Sequence, residues 1–205
     1  MRHPGSRDRH PAQHGIALIV VLLVLLVVLL LATASAQMAM QGERMARNDS
    51  DRRIAFEAAE AALLDAEMDI EDASDVTTSR SALFSRYSAV GFPSLSGTCE
   101  SGAQNRFQGL CRPSAASDPA VWNTLDFGGG AGGAAVIYGH FTGRQFPSGG
   151  ALPVKAPRYI IELLPDRRSG ESAEREAYLY RITAIGYGSS ERTQVALQSI
   201  YRKTR

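Results

Sequence analysis

The sequence predicts an α+β fold in which a long N-terminal helix packs on a C-terminal antiparallel sheet. Three observations carry that expectation. Residues 16–36 form one apolar run, residues 37 to about 73 continue in helix-favouring residues without a proline, and four β-rich stretches close the chain. Helical pattern first and strands afterwards is the order of an α+β domain.

The first element is the apolar run. From Ile16 to Ala36, IALIVVLLVLLVVLLLATASA holds no charged residue. At ~1.5 Å per residue it makes a helix of about 31 Å, enough to cross the hydrocarbon core of a bilayer. The segment before it carries Arg2, Arg7, Arg9, His3, His10 and His14 against a single Asp8. By the positive-inside tendency this end stays in the cytoplasm and the rest of the chain lies across the membrane. Arg44, Arg47, Arg52 and Arg53 on the far side count against that orientation, offset in part by Glu43, Asp49 and Asp51. Three readings of the N-terminus are open. Ala34-Ser35-Ala36 is a small-residue pattern at which a secretory signal could be cut, releasing a chain from Gln37, although the apolar run exceeds the usual h-region of roughly 7–15 residues. A plain uncleaved anchor is the second. The third is a short basic leader that ends at Gly15, with the helix beginning at Ile16.

The second element, residues 37–75, extends the helix. Gly42 is its only glycine, and Ala, Glu, Met, Arg and Leu dominate. Phe56, Ala59, Leu63, Ala66 and Ile70 recur at spacings of three and four and predict the face that packs on the domain. Asp65, Glu67, Asp69, Glu71, Asp72 and Asp75 read as a solvated face. A calcium site is not expected there, because the run lacks a glycine-containing ligand loop and helical side chains diverge.

Residues 76–205 read as the globular part. Gly, Ser and Pro are scattered from 77 to 133, with a helical period only between Ser79 and Val90, and predict loops around short elements. The run GGGAGG at 128–133 lacks the Gly-Lys-Ser/Thr ending of a phosphate loop and reads as a flexible connector. Trp122 reads as a local packing anchor. Strands are expected at 135–141, 158–164, 178–185 and 193–201, joined as an antiparallel meander. In the third, Tyr178, Tyr180, Ile182 and Ala184 share the face expected to cover the helix, with Arg181 and Thr183 opposite.

Composition excludes several functions. A formal net charge of +1 and a pI near 7.8 give no field suited to nucleic acid. Cys99 and Cys111, in a loop-like setting, suit one disulfide in an oxidising compartment, and zinc is not expected because neither lies in a CxxC or a His cluster. His140, the one histidine outside the N-terminal segment, reads as a sheet-surface residue, so no catalytic residue and no cofactor is expected.

The residues also carry a family resemblance. GERMARNDSDRRIAFEAAEAAL, residues 42–63, resembles the segment after the membrane helix in PilX-type minor pilins, and APRYIIELL with YLYRITAIGYGSSERTQVALQSIYRK resembles that family's closing strands. His14-Gly15-Ile16-Ala17-Leu18-Ile19 is similar to the processing site of type IV prepilins. The resemblance implies a type IV pilin-like fold, a leader over 1–15, cleavage between Gly15 and Ile16 by a prepilin peptidase and N-methylation of Ile16. It implies an inner-membrane anchor with a periplasmic domain, and as partners other minor pilins, the major pilin and a large tip adhesin. Most pilins have a glutamate at the fifth mature position, which neutralises the terminal amine of a neighbour during docking; here that position is Val20, and Gln37 stands where many major pilins have proline. PilX-type minor pilins and K-type pseudopilins of type II secretion share the missing glutamate. Such a pseudopilin and a periplasmic binding protein are the competing readings beside a tip-associated minor pilin.

Overall fold

The computed structural model describes residues 16–71, 77–147, 152–166 and 176–203. The chain divides into two compact units, one up to Asn48 and one from Asp49 onward. Helix α1 (Ile16–Glu71) supplies every described residue of the first unit and opens the second.

In the second unit, α1 is followed by a 3-10 turn (Ser81–Leu83), β1 (Leu110–Cys111), the short helix α2 (Val121–Thr124), β2 (Val136–Ile137), β3 (Arg158–Pro165), β4 (Tyr178–Tyr187) and β5 (Gln194–Tyr201). Strands β3, β4 and β5 form an antiparallel meander, with Ile161 opposite Ile182 and Ala184 opposite Leu197. On the other edge of β3, β2 pairs antiparallel through Val136 and Tyr159, and β1 pairs parallel through Leu110 and Ile161. The sheet is therefore mixed, and the fold is the α+β, pilin-like arrangement of a long N-terminal helix packed against a C-terminal sheet.

Several elements are shorter than the sequence suggests. The helical period at 79–90 gives a single 3-10 turn, because Ser85 and Ser88 turn their hydroxyls onto the amides of Tyr87 and Val90 and close local turns instead. The strand expected at 135–141 stops at Ile137. Gly139 adopts φ +79°, and its N–H donates to the Asp65 carboxylate at 2.7 Å, so the backbone leaves the sheet for the helix. His140 consequently sits in a turn and not within a strand.

Alternation along β4 sorts the core into two clusters. Tyr180, Ile182 and Ala184 face the helix and join Ala62, Ala66, Ile70, Tyr159, Ile161 and Leu163. Removing a side chain such as Ile70 or Leu163 from water contributes about 1.5–3 kcal/mol. The opposite face is also covered: Ile160, Ile185 and Tyr187 pack with Cys111, Val121, Phe127 and Ala135, and Trp122 lies partly buried against them.

The helix face that meets the sheet comprises Ala55, Ala58, Ala59, Ala62, Asp65, Ala66, Asp69 and Ile70. Phe56 is 43% exposed and lies off this face, and the expected solvated run is interrupted by Asp65 and Asp69, both fully buried. Both differences have one cause. Alanine lets the backbones approach until Gly186 of β4 has no room for a side chain: a Cβ there would lie 2.1 Å from the Ala55 carbonyl oxygen and 2.4 Å from the Ala59 nitrogen. A phenylalanine cannot enter such a seam.

Replacing Gly186 by alanine is therefore expected to destabilise the domain by about 3 kcal/mol, the upper part of the overpacking range, since the atoms in the way are backbone. Thermal or denaturant unfolding measures it, and an unchanged midpoint contradicts this account of the seam.

Candidate functional site

Along the first unit the apolar side chains of α1 point outward: Leu18 is 68% exposed and Leu29 67%, and Val20 is exposed among them. The two hydroxyls near the end of the apolar run are satisfied along the helix, Thr33 Oγ1 donating to the Leu30 carbonyl and Ser35 Oγ to that of Leu31, each at 2.9 Å. Such back-bonding leaves no donor facing hydrocarbon unmatched. The first charges follow at Glu43 and Arg44, and Glu43 pairs with Arg47 one turn on. Helix α1 is thus long and apolar enough over this stretch to anchor the chain in a membrane.

The second unit locks its part of α1 at both ends. At the Asp49 end, the Asp51 carboxylate accepts from both the amide and the hydroxyl of Ser189, each at 2.5 Å, in the turn between β4 and β5. At the other end, Lys203 Nζ donates to the Ile70 carbonyl at 2.7 Å and the Ser81 carbonyl at 2.9 Å, placing a cation on a carbonyl of the last helical turn and tying it to the 3-10 turn. Tyr201 donates to Glu71 beside it.

Between these ends lies a polar core. Arg80, from the loop after the helix, is fully buried with Asp69: Nε lies 3.0 Å from both carboxylate oxygens and an Nη 2.6 Å from one. Its other Nη donates to the carbonyls of Gln108 at 2.5 Å and Arg106 at 3.2 Å, and its guanidinium stacks 3.6 Å from the centroid of Phe141. Tyr159 donates to Asp69 at 2.9 Å; burial and the adjacent carboxylate push its hydroxyl well above the ordinary range. Asp65 accepts from Gly139 and Thr142, and its pKa is raised by burial. The acidic run therefore splits between solvent and a buried network, because Asp65 and Asp69 fall on the alanine face and find donors there.

Other sequence expectations map as follows. Cys99 and Cys111 are joined, and their loop covers the outer face of the sheet. The glycine run is held as well as bent: Gln108 Nε2 donates to the carbonyls of Ala131 and Gly133, and Arg158 to that of Gly129. Ile16 is the first described residue and opens α1; Gly15 and the residues expected to form a leader lie outside the described residues. The histidine ring is partly desolvated and beside Arg80, which hold it below its usual pKa. Among the described residues no group of three potential metal-binding side chains converges.

Two family profiles match this arrangement. PilX N-terminal matches residues 14–64, and Type IV pilus assembly protein PilX C-term matches residues 96–203. The chain belongs to the PilX family. A PilX-family chain is a type IV pilus minor pilin, a structural subunit that associates with other pilus components. The PilX matches take in α1 as far as Leu64 and all five strands, while Asp69 and Arg80 fall between them. Comparison with curated proteins and with solved structures returns no match.

Two measurements follow from the locks. Arg80→Met leaves Asp69 buried without its cation and is expected to cost about 3–5 kcal/mol, whereas Asp69→Leu combined with Arg80→Met is expected to recover much of that loss; equal unfolding midpoints for the single and double variants would contradict it. Asp51 is held below its ordinary value of 3.8, first by the Ser189 hydroxyl and then by Thr193. A depressed folded pKa contributes stability that is present above 3.8 and lost as pH falls through the folded value. As pH falls through 3.8 and below, stability measured by unfolding should therefore fall less steeply in Asp51→Asn than in the parent.

Proposed function

We propose that this subunit primes type IV pilus assembly and occupies the pilus tip with other minor pilins, the major pilin and a large tip adhesin as its neighbours. The observation that carries the reading is Val20: the apolar run holds no carboxylate at the position where most pilins have a glutamate. A subunit at the extreme end of a filament has no neighbour beyond it whose terminal amine needs neutralising. An unpaired charge within a bilayer is costly, so its presence or absence follows the role.

The reading includes maturation. A prepilin peptidase cuts between Gly15 and Ile16, Ile16 is N-methylated, and residues 16–36 hold the subunit in the inner membrane before assembly. Residues 37–75 and 76–205 then face the periplasm, where the disulfide of Cys99 and Cys111 persists. The basic segment before Ile16 and the uninterrupted apolar helix after it support this order.

The N-terminal peptide of the native protein is expected to begin with N-methylated Ile16 in mass spectrometry. A start at Gln37 would overturn the pilin processing and favour a released periplasmic protein. For the tip role, deletion is expected to remove nearly all surface pili while the major pilin collects in the inner membrane. Sheared filaments are expected to contain only traces of this subunit. Near-equal abundance with the major pilin refutes the tip role, and lost protein secretion with normal pili moves the assignment to a K-type pseudopilin.

A further inference from the structure

Strand β5 ends the sheet. The opposite edge of β3 is taken by β1 and β2, whereas β5 pairs only with β4 among the described residues. Gly188 donates to the Thr193 carbonyl where the β4–β5 hairpin closes, and Asp166 donates to Ala177 at the other side of β4. With the alternation of an antiparallel ladder, these bonds direct Val195, Leu197, Ser199 and Tyr201 toward β4 and the amides and carbonyls of Gln194, Ala196, Gln198 and Ile200 outward. Among the described residues β5 carries none of the protections that a strand can hold within itself. Gln194–Tyr201 contains no proline and no charge, its pairing runs unbroken over the whole strand, and Ile200 is 66% exposed.

What lies beside that edge is equally specific. Phe56, Glu60, Leu63 and Glu67 follow one another at helical spacing on the flank of α1 next to its buried face. This flank borders β5, since Leu63 and Tyr201 both pack against the inner cluster and Tyr201 bonds Glu71 one turn further along. Phe56 is 43% exposed, and neither Glu60 nor Glu67 has an ion pair among the described residues.

We infer that the open edge of β5 receives an extended segment of a different polypeptide as a further strand, with apolar and Lys or Arg side chains alternating toward the Phe56–Glu67 flank. Backbone hydrogen bonds to Ala196 and Gln198 supply affinity, and the two glutamates select the cations. A second copy is disfavoured twice. Antiparallel pairing that engages all four outward residues sets Arg192 of each copy opposite Arg202 of the other. It also turns the two chains end for end, so that they enter their domains at Asp49 from opposite sides, which two subunits anchored in one membrane cannot do. The inference rests on family membership, and holds whether the subunit sits at the tip or in the shaft.

The test places a photo-crosslinking benzoylphenylalanine at Gln198 of the full chain in piliated cells, with the adduct read by peptide sequencing. The expected adduct is a segment of another protein in which the side chains of one strand face alternate between apolar and Lys or Arg. Ala196→Pro, which removes one outward amide and leaves the β4 ladder intact, should lower its yield at least tenfold, as should Glu60→Lys with Glu67→Lys. Unchanged thermal melting of these variants excludes misfolding as the cause; should Ala196→Pro melt early, the glutamate pair decides alone. An adduct with a second copy, a segment without cations, no adduct, or a yield indifferent to the glutamates overturns the inference.

Discussion

Backbone proximity between α1 and β4 is the constraint on which the rest of the domain depends. Seven of the eight helix residues that meet the sheet are alanine or aspartate, and Gly186 lies where any Cβ would strike the helix backbone. A seam so narrow buries little apolar volume per residue. Larger side chains come instead from the sheet and the loops: Tyr159, Tyr180, Ile182 and Leu163 fill the space to one side, and Phe84 and Phe141 close it. The polar core is a second result of the same geometry. Aspartates on the alanine face cannot reach water, and each is satisfied by a donor from elsewhere in the chain, Arg80 and Tyr159 for Asp69, Thr142 and Gly139 for Asp65.

Much of this was legible in the sequence. The helix over 16–71 and the last three strands followed from propensity and alternation, and the face of β4 that meets the helix was identified through Tyr180, Ile182 and Ala184. Alternation works there because β4 is long and its inner face is apolar. The helix face was harder. Phe56 and Leu63 weigh heavily in a hydrophobic pattern and alanine weighs little, so the pattern was drawn toward the flank while the alanines made the contact. Glycine in β4 was the available clue, since a small residue in a strand marks a close backbone approach.

The polar network was not legible, for a different reason. An aspartate in a helix pattern gives no sign of whether its partner is water or an arginine far along the chain. Asp69 meets Arg80 from the next loop, but the carboxylate of Asp65 is met by Thr142 and that of Asp51 by Ser189. The parallel strand β1 was equally silent: two residues in a loop become a strand only because Glu100 and Gly109 join them to their neighbours and Ile161 offers an edge. The proposed cleavage after Gly15 draws on the sequence alone, where this glycine abuts the apolar run.

The separations in these contacts carry a kinetic consequence. Asp51 and Ser189 are 138 residues apart, and Lys203 lies 133 residues beyond the Ile70 carbonyl that it caps. A helix that emerges early must wait for nearly the whole chain before either end is fastened, and non-local pairing of this kind slows folding. During that interval the face destined for the sheet is bare. Because it is made of alanines, it offers passing chains a shallow surface with little apolar area, so the same residues that permit close packing in the finished domain make the unfinished one less adhesive.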